Sequence, residues 1–388
     1  MPIFKKLILM DYPYILNYFI LLILAYLYWK KPDPKLVKWA FFLEFVFIAF
    51  RAPVVGADTW DYVRYLDGER NFYNYDNREL ESGFLLYRKL LVSMHPSRLV
   101  VMIINSLLSC FPIYLLIKRY SYNVPLSLAL LPLFKVYSLY FVGLRQILGL
   151  AVIFLGILYV LAEKKRKWLV FFTLAILGYY MHTTIALYAV IFFIVYYVRL
   201  NSRSLITILI VASAIIGIIL KTFNVTEAFN LFLSLNVSST ERIEGYMYSF
   251  EDANIEASIN ALQPTLFATL AICFIDEKKI NHWITNIYVV GVILGNLFVS
   301  VPMLNRILVG FSIFGTIVFS WIFYESYKFN KLSLETRKWL CIIFLLYCSI
   351  SYIRQNMNSR IDYLDAGRMH PYLYIWEDYS NHPSIKYF

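Results

Sequence analysis

Charge is scarce in this chain. Only 16% of its 388 residues are Asp, Glu, Lys or Arg, while 60% are hydrophobic and 19% aromatic. A soluble protein of this length has no use for so much apolar surface, so a water-soluble globular chain is excluded. Cysteine is scarce too. The four (Cys110, Cys273, Cys341 and Cys348) all lie in apolar runs and lack metal-ligand spacing, which predicts buried packing residues. No HExxH, nucleophile-elbow, Walker or Rossmann pattern is present. Internal repeats and a second soluble domain are missing as well. The first long apolar run is followed by Lys30 and Lys31 rather than by a small-residue cleavage site, so no cleavable signal peptide is expected.

Long uncharged apolar runs recur instead from end to end, and the mean hydropathy is +0.61. About 20 apolar residues span a bilayer as a helix, so the chain reads as an all-α polytopic membrane protein. The runs predict helices near 12–29, 36–51, 99–117, 124–141, 144–162, 168–181, 183–198, 204–221, 263–275, 283–301, 306–324 and 339–353. The stretch 168–198 is too long for one span and short for two, and Gly178 with GYYMHTT marks a break. The net charge of +11 does not indicate nucleic acid, because the basic residues are spread over many short loops.

Those loops carry the topology. Lys30, Lys31, Lys35 and Lys38 share one, Lys118 and Arg119 another, and Lys164 to Lys167 a third; Arg199 and Arg203, Lys278 and Lys279, and Lys328 to Lys338 follow. Basic short loops mark the cytoplasm, and they fall on one face only if 168–198 is two segments. About twelve segments with both termini outside result, as a single membrane domain over 1–388. Lys5 and Lys6 alone run against an outside N-terminus. Long loops near 51–98 and 222–262, and a tail near 354–388, then face outward.

Rare ionisable residues gather on that outer side. Arg51 and Asp58 follow the second helix, Arg145 and Gln146 open the fifth, His182 sits at the break, and Arg306 opens the eleventh. Lys135 and the tail residues Arg354, Arg360 and Arg368 join them. Ionisable groups near lipid depth are costly and usually face a cavity or partner. Each has a plainer reading. An arginine or lysine at a helix end often snorkels to the interface. A lone histidine in a bundle is more often a hydrogen-bonded packing residue than a base.

In the stretch GADTWDYVRYL, Gly56 permits a turn and Asp58 or Thr59 can cap a helix. Asp58, Asp61, Tyr62 and Tyr65 then share a face, Arg64 is placed to pair with Asp61, and Trp60 and Val63 can dip into the interface. Glu81 and Gly83 open ESGFLLYRKLL, which would lie on the membrane and return the chain to it. Arginines at outer helix ends suit phosphate, since the guanidinium fork grips oxyanions at two points. Neighbouring tyrosines and tryptophans suit sugar rings.

These pieces carry a resemblance. FRAPVVGADTWDYVRYL, ESGFLLYRKL, GLRQILGLAVIFLGI, MHTTIAL and PYLYIW, in that order and separated by apolar helices, resemble the EpsG-like, Wzy-type bacterial polysaccharide polymerases. The resemblance implies a GT-C-like fold with interfacial helices in the first outer loop. It implies a bacterial cytoplasmic-membrane enzyme that joins undecaprenyl-pyrophosphate-linked oligosaccharides on the outer face, for O-antigen, capsule or exopolysaccharide. A chain-length regulator protein and the lipid bilayer are the implied partners. The growing chain leaves its carrier for a hydroxyl of the next unit, which needs a base and positive charge at the departing pyrophosphate. Asp58 is the first choice of base, then His182, then Glu81. Arg145 and Arg306 are the choices for the pyrophosphate, supported by Arg51, Arg64, Gln146 and Tyr62. The chemistry requires no metal and no cofactor. The alternatives are a non-processive lipid-phosphate-sugar glycosyltransferase, a membrane acyltransferase, and a non-enzymatic flippase or transporter for lipid-linked sugars.

Overall fold

A computed structural model describes residues 12–56, 58–68, 80–222, 256–298, 302–325, 334–358 and 372–377. The described chain is helical, with one isolated β-bridge. In order the helices are α1 Tyr12–Lys30, α2 Pro34–Ala49, α3 Thr59–Leu66, α4 Ser82–Ser93, α5 Arg98–Tyr120, α6 Val124–Leu130, α7 Val136–Phe141, α8 Leu144–Leu161, α9 Lys167–Met181 and α10 Ile185–Tyr197. They continue as α11 Arg203–Thr222, α12 Glu256–Phe274, α13 Glu277–Ile280, α14 Trp283–Leu297, α15 Pro302–Glu325 and α16 Leu334–Asn358. Among the described residues three are long and apolar enough to cross a membrane by length and composition: α1, α5 and α8. Shorter apolar helices accompany them. Of the loop expected at 222–262, residues 223–255 lie outside the described residues, while 256–262 are already helical in α12; most of the tail is also outside them.

The apolar runs and the helices agree, and the break at His182 divides α9 from α10. The run 124–141 differs. It forms two short helices, because Pro132 removes an N–H from the ladder and Lys135 takes a left-handed conformation at φ 59°. Helix starts follow local chemistry. Asp33 accepts from the Lys35 N–H at 2.8 Å ahead of Pro34, and Asn123 accepts from the Leu126 N–H at 3.0 Å. Cys110 and Cys348 are buried as expected, but Cys273 is exposed near the end of α12.

Two compact units are distinguished, Met1–Phe192 with Ser326–Phe388, and Phe193–Glu325. In the second unit, Arg203 at the start of α11 donates to the Cys273 carbonyl at 2.6 Å and the Ile275 carbonyl at 2.8 Å, closing the end of α12. Asn296 of α14 bonds Ser213 of α11 at 3.1 Å and Thr265 of α12 at 3.0 Å, so buried amides tie its helices together.

The first unit is polarised. Phe41 stacks on Tyr114 while Ile48 and Met102 line one cavity, so α2 and α5 are antiparallel. The starts of α5 and α8 share one core, with Val101, Met102, Leu144 and Leu148 in contact. Gly149 meets Gly178 and Gly156 meets Phe171, so α9 returns antiparallel to α8. Lys35, Lys118, Arg119 and Lys167 therefore collect at one end of the unit. The ends of α2 and α9 and the starts of α5 and α8 collect at the other.

At that second end the segment 50–56 is tied to the tail. The Ala52 N–H donates to Leu373 O at 2.7 Å and the Ile375 N–H to Phe50 O at 2.9 Å. Tyr372 stacks on Phe47 at 4.7 Å. Gly56 has φ +112°, and a Cβ there would come within 1.8 Å of the Phe141 carbonyl oxygen. A Gly56→Ala variant is expected to be destabilised by roughly 2–4 kcal/mol, through both strain and collision. A lowered apparent melting point of the detergent-purified protein checks this. An unchanged midpoint would show that the turn can shift.

Candidate functional site

Helix α3 differs from an interfacial helix. Trp60, Tyr62, Val63, Tyr65 and Leu66 are all buried, so Trp60 and Val63 pack inward rather than dipping into lipid. Its face forms one core with Phe84 and Leu91 of α4 and the starts of α5 and α8. Arg64 and Arg98 both lie over the Trp60 ring, at 5.4 and 4.9 Å, and Arg98 also pairs with Asp67 at 3.2 Å. Leu86 and Leu90 of α4 and its C-cap Met94 form an exposed apolar stripe at four-residue spacing. Gly83 brings α4 onto α9, since a Cβ there would approach the Tyr180 carbonyl oxygen to 2.7 Å.

This packing converges four side chains from four places in the chain. Arg145, in the first turn of α8, donates through Nε to the Tyr62 hydroxyl at 2.8 Å. Its Nη1 pairs with Oε2 of Glu81, which precedes α4. The guanidinium also lies over the Tyr62 and Phe84 rings, at 5.5 and 5.9 Å. Both members of the ion pair are largely but not fully buried, at 15% and 13% side-chain exposure. His182 ends α9 and feels both charges. Burial pushes its pKa down to about 4, with Arg145 adding to the shift and Glu81 opposing it. Its Nδ1 accepts from the Thr184 N–H at 3.3 Å and lies 2.8 Å from the Thr184 hydroxyl.

The remaining sequence candidates are placed differently. Asp58 stands half-buried at the start of α3, one turn from Tyr62, but its side chain makes no capping bond. The Thr59 hydroxyl does not cap either and donates to Phe141 O. Arg51 is 2% exposed and spends its donors on main chain: Ile48 O at 2.5 Å, Tyr140 O at 2.8 Å and Val55 O at 3.4 Å, with the Phe141 ring 4.5 Å away. That arrangement clasps α2, the 50–56 segment and α7 rather than offering a fork to an anion. Gln146 is buried and donates to the Tyr188 hydroxyl at 3.3 Å, tying α8 to α10. The Arg306 side chain lies outside the described residues.

Sequence reasoning passed over Glu44, although its acid stands inside the apolar run WAFFLEFVFIAF. It is buried in α2, where its Oε2 accepts from Asn17 at 3.1 Å and from Tyr137 at 2.9 Å. This triad joins α1, α2 and α7, while Oε1 of Glu44 is buried without a hydrogen-bond partner among the described residues. Below Arg51 a cavity of about 10 Å³ is lined by Asn105, Ser106, Ser109 and Tyr140, room for no more than one water.

The geometry at the polar end can therefore bind an anion on Arg145, accept a proton on Glu81 and donate from His182. Comparison with protein-family models matches residues 35–373 to the EpsG family. No curated protein and no solved structure gives a significant match.

Proposed function

Because the chain belongs to the EpsG family, we propose that it is a polysaccharide polymerase of the bacterial cytoplasmic membrane. It joins undecaprenyl-pyrophosphate-linked oligosaccharides on the outer face of that membrane. The observation that carries this reading is the Tyr62–Arg145–Glu81–His182 cluster, at the end of the first unit away from Lys35, Lys118, Arg119 and Lys167. Positive-inside topology puts those lysines and arginines in the cytoplasm and the cluster outside, where lipid-linked repeat units are polymerised. About twelve membrane segments and a GT-C-like arrangement fit the order of apolar helices. Leu86, Leu90 and Met94 would set α4 into the outer leaflet beside the site.

In the reaction an acceptor hydroxyl attacks the anomeric carbon of the growing chain. The bond from that carbon to the pyrophosphate oxygen breaks, and its electron pair leaves with the lipid pyrophosphate. Glu81 receives the hydroxyl proton. Arg145, held in plane by Tyr62 and Glu81, meets the negative charge that grows on the leaving group. Arg51 locks the segment that carries α3 and is not assigned to the pyrophosphate.

Purified protein in lipid nanodiscs, supplied with undecaprenyl-pyrophosphate repeat units, should yield a ladder of lengthening polymers on a gel. Transfer of one sugar only would favour the non-processive transferase, and movement of the lipid without product would favour the transporter. Orientation has its own test, in a background freed of native cysteines. A cysteine near Asn74 should react with an impermeant thiol reagent on spheroplasts, while one near Lys165 should not. The reverse labelling pattern would put the cluster on the wrong side for this chemistry.

A further inference from the structure

We infer that His182 is a neutral hydrogen-bond donor whose Nε2–H holds an oxygen of the departing pyrophosphate, with Thr184 as the residue that fixes its tautomer. The inference rests on the site proposed above and gives the imidazole a role other than base. The geometry at Nδ1 carries it. A backbone N–H can only donate, and the Thr184 N–H points at Nδ1 from 3.3 Å. Nδ1 must therefore hold a lone pair, and the ring proton must sit on Nε2. The Thr184 hydroxyl lies 2.8 Å from the same nitrogen and, with Nδ1 holding a lone pair, can donate to it as well.

Charging the ring would put a second proton on Nδ1 and break the bond to the N–H. The start of α10 lies directly after, at Ile185, and the positive end of a helix dipole further opposes a cation there. The charged groups that face the ring are Glu81, just ahead of α4, and Arg145 of α8. Burial holds the ring neutral down to about pH 4, in keeping with this geometry.

A comparison inside the chain separates the role from simple capping. His282 makes the same contact at the start of α14, with Nδ1 accepting from the Ile284 N–H at 3.3 Å. There the ring packs edge-on against Trp321, 5.0 Å away, and the residue is a helix cap. His182 instead stands beside an ion pair that retains partial exposure. Among the described residues Nε2 of His182 has no hydrogen-bond partner. A neutral donor beside Arg145 supports a leaving phosphate without competing with Glu81 for the hydroxyl proton.

Two substitutions divide the ring's functions. His182→Asn keeps an acceptor near the Nδ1 position, so it can still accept from the Thr184 N–H ahead of α10, but it loses the Nε2–H. His182→Gln loses that acceptor and puts an amide N–H near the Nε2 position. Polymerisation should fall roughly 100- to 1,000-fold in the Asn variant, the range for loss of one preorganised donor. Much of that loss should return in the Gln variant. The wild-type rate should show no acidic limb near the ordinary histidine value of about 6.5. Nitrogen-15 NMR of histidine-labelled protein should show Nε2 protonated and Nδ1 bare, with the Nε2 signal moving when undecaprenyl pyrophosphate is added.

Protonated Nδ1, or undecaprenyl pyrophosphate binding unaffected in the Asn variant, would overturn the inference. Equal inactivity of both variants together with an acidic limb near 6.5 would make His182 a base and overturn it too. A wild-type protein that engages the pyrophosphate lipid through Nε2 yet makes no polymer would overturn the polymerase reading and leave the donor role supported.

Discussion

Arg145→Ala is expected to remove polymer synthesis while leaving protein in the membrane. The guanidinium meets Tyr62 at 2.8 Å through Nε and Glu81 through Nη1, which holds its plane and leaves Nη2 to turn toward a ligand. Loss of one preorganised donor at a developing negative charge typically costs about 100- to 1,000-fold in rate. Arg145→Lys should also fail by more than about tenfold, because an ammonium cannot reproduce the rigid fork at Tyr62, Glu81 and a phosphate together. Polymer length on gels and single-turnover rates with purified protein are the measurements.

Instability must be separated from lost chemistry, since Glu81 would be left as a largely buried charge without its counter-ion. The double variant Arg145→Met with Glu81→Leu removes both charges and keeps comparable volume. Membrane levels should recover in that variant and polymer should not. Recovery of polymer would show that the pair is a structural bridge and that the chemistry lies elsewhere.

Glu81→Gln is expected to lower the rate by roughly 100- to 10,000-fold, the usual contribution of a general base. The amide still offers an oxygen to Arg145, so packing against Tyr180 through Gly83 should survive. Asp58→Asn is the comparison. Asp58 lies one helical turn from Tyr62, and its Asn variant should reduce turnover less if Glu81 takes the proton. A near-normal rate in Glu81→Gln with a dead Asp58→Asn would reverse the assignment. Binding of undecaprenyl pyrophosphate, measured in parallel, should be kept in both variants, since neither removes Arg145.

Several features were legible in the amino-acid order alone. The helices follow apolar runs, since lipid and packed interior both demand long uncharged stretches, and their limits agree with the structure to a few residues at most positions. The division at His182 was readable from length and charge: basic loops on both sides of 168–198 require an even number of passes. The run 124–141 reads as one helix, and the break that Pro132 makes there was missed. The left-handed Lys135 was not legible either, because a positive φ in a lysine is imposed by its surroundings.

Side-chain roles divided along a different line. Arg51 and Arg145 look alike in sequence, each an arginine at an apolar helix end. Only the tertiary structure tells them apart. Arg51 is enclosed because Tyr140, 89 residues away, brings a carbonyl to 2.8 Å and the tail covers Phe47 and Phe50. Arg145 keeps partial exposure because its partners, Tyr62 at 83 residues and Glu81 at 64 residues distance, occupy two of its edges. Trp60 likewise turned inward once Arg64 and Arg98 lay over its ring. Hydropathy and helical spacing are local properties, so the sequence determined where the helices are, which ends carry the basic charge and which residues were candidates. Enclosure, hydrogen-bond partners and tautomer depend on groups far apart along the chain, so which candidate meets a ligand and which merely holds the fold was decided by tertiary packing.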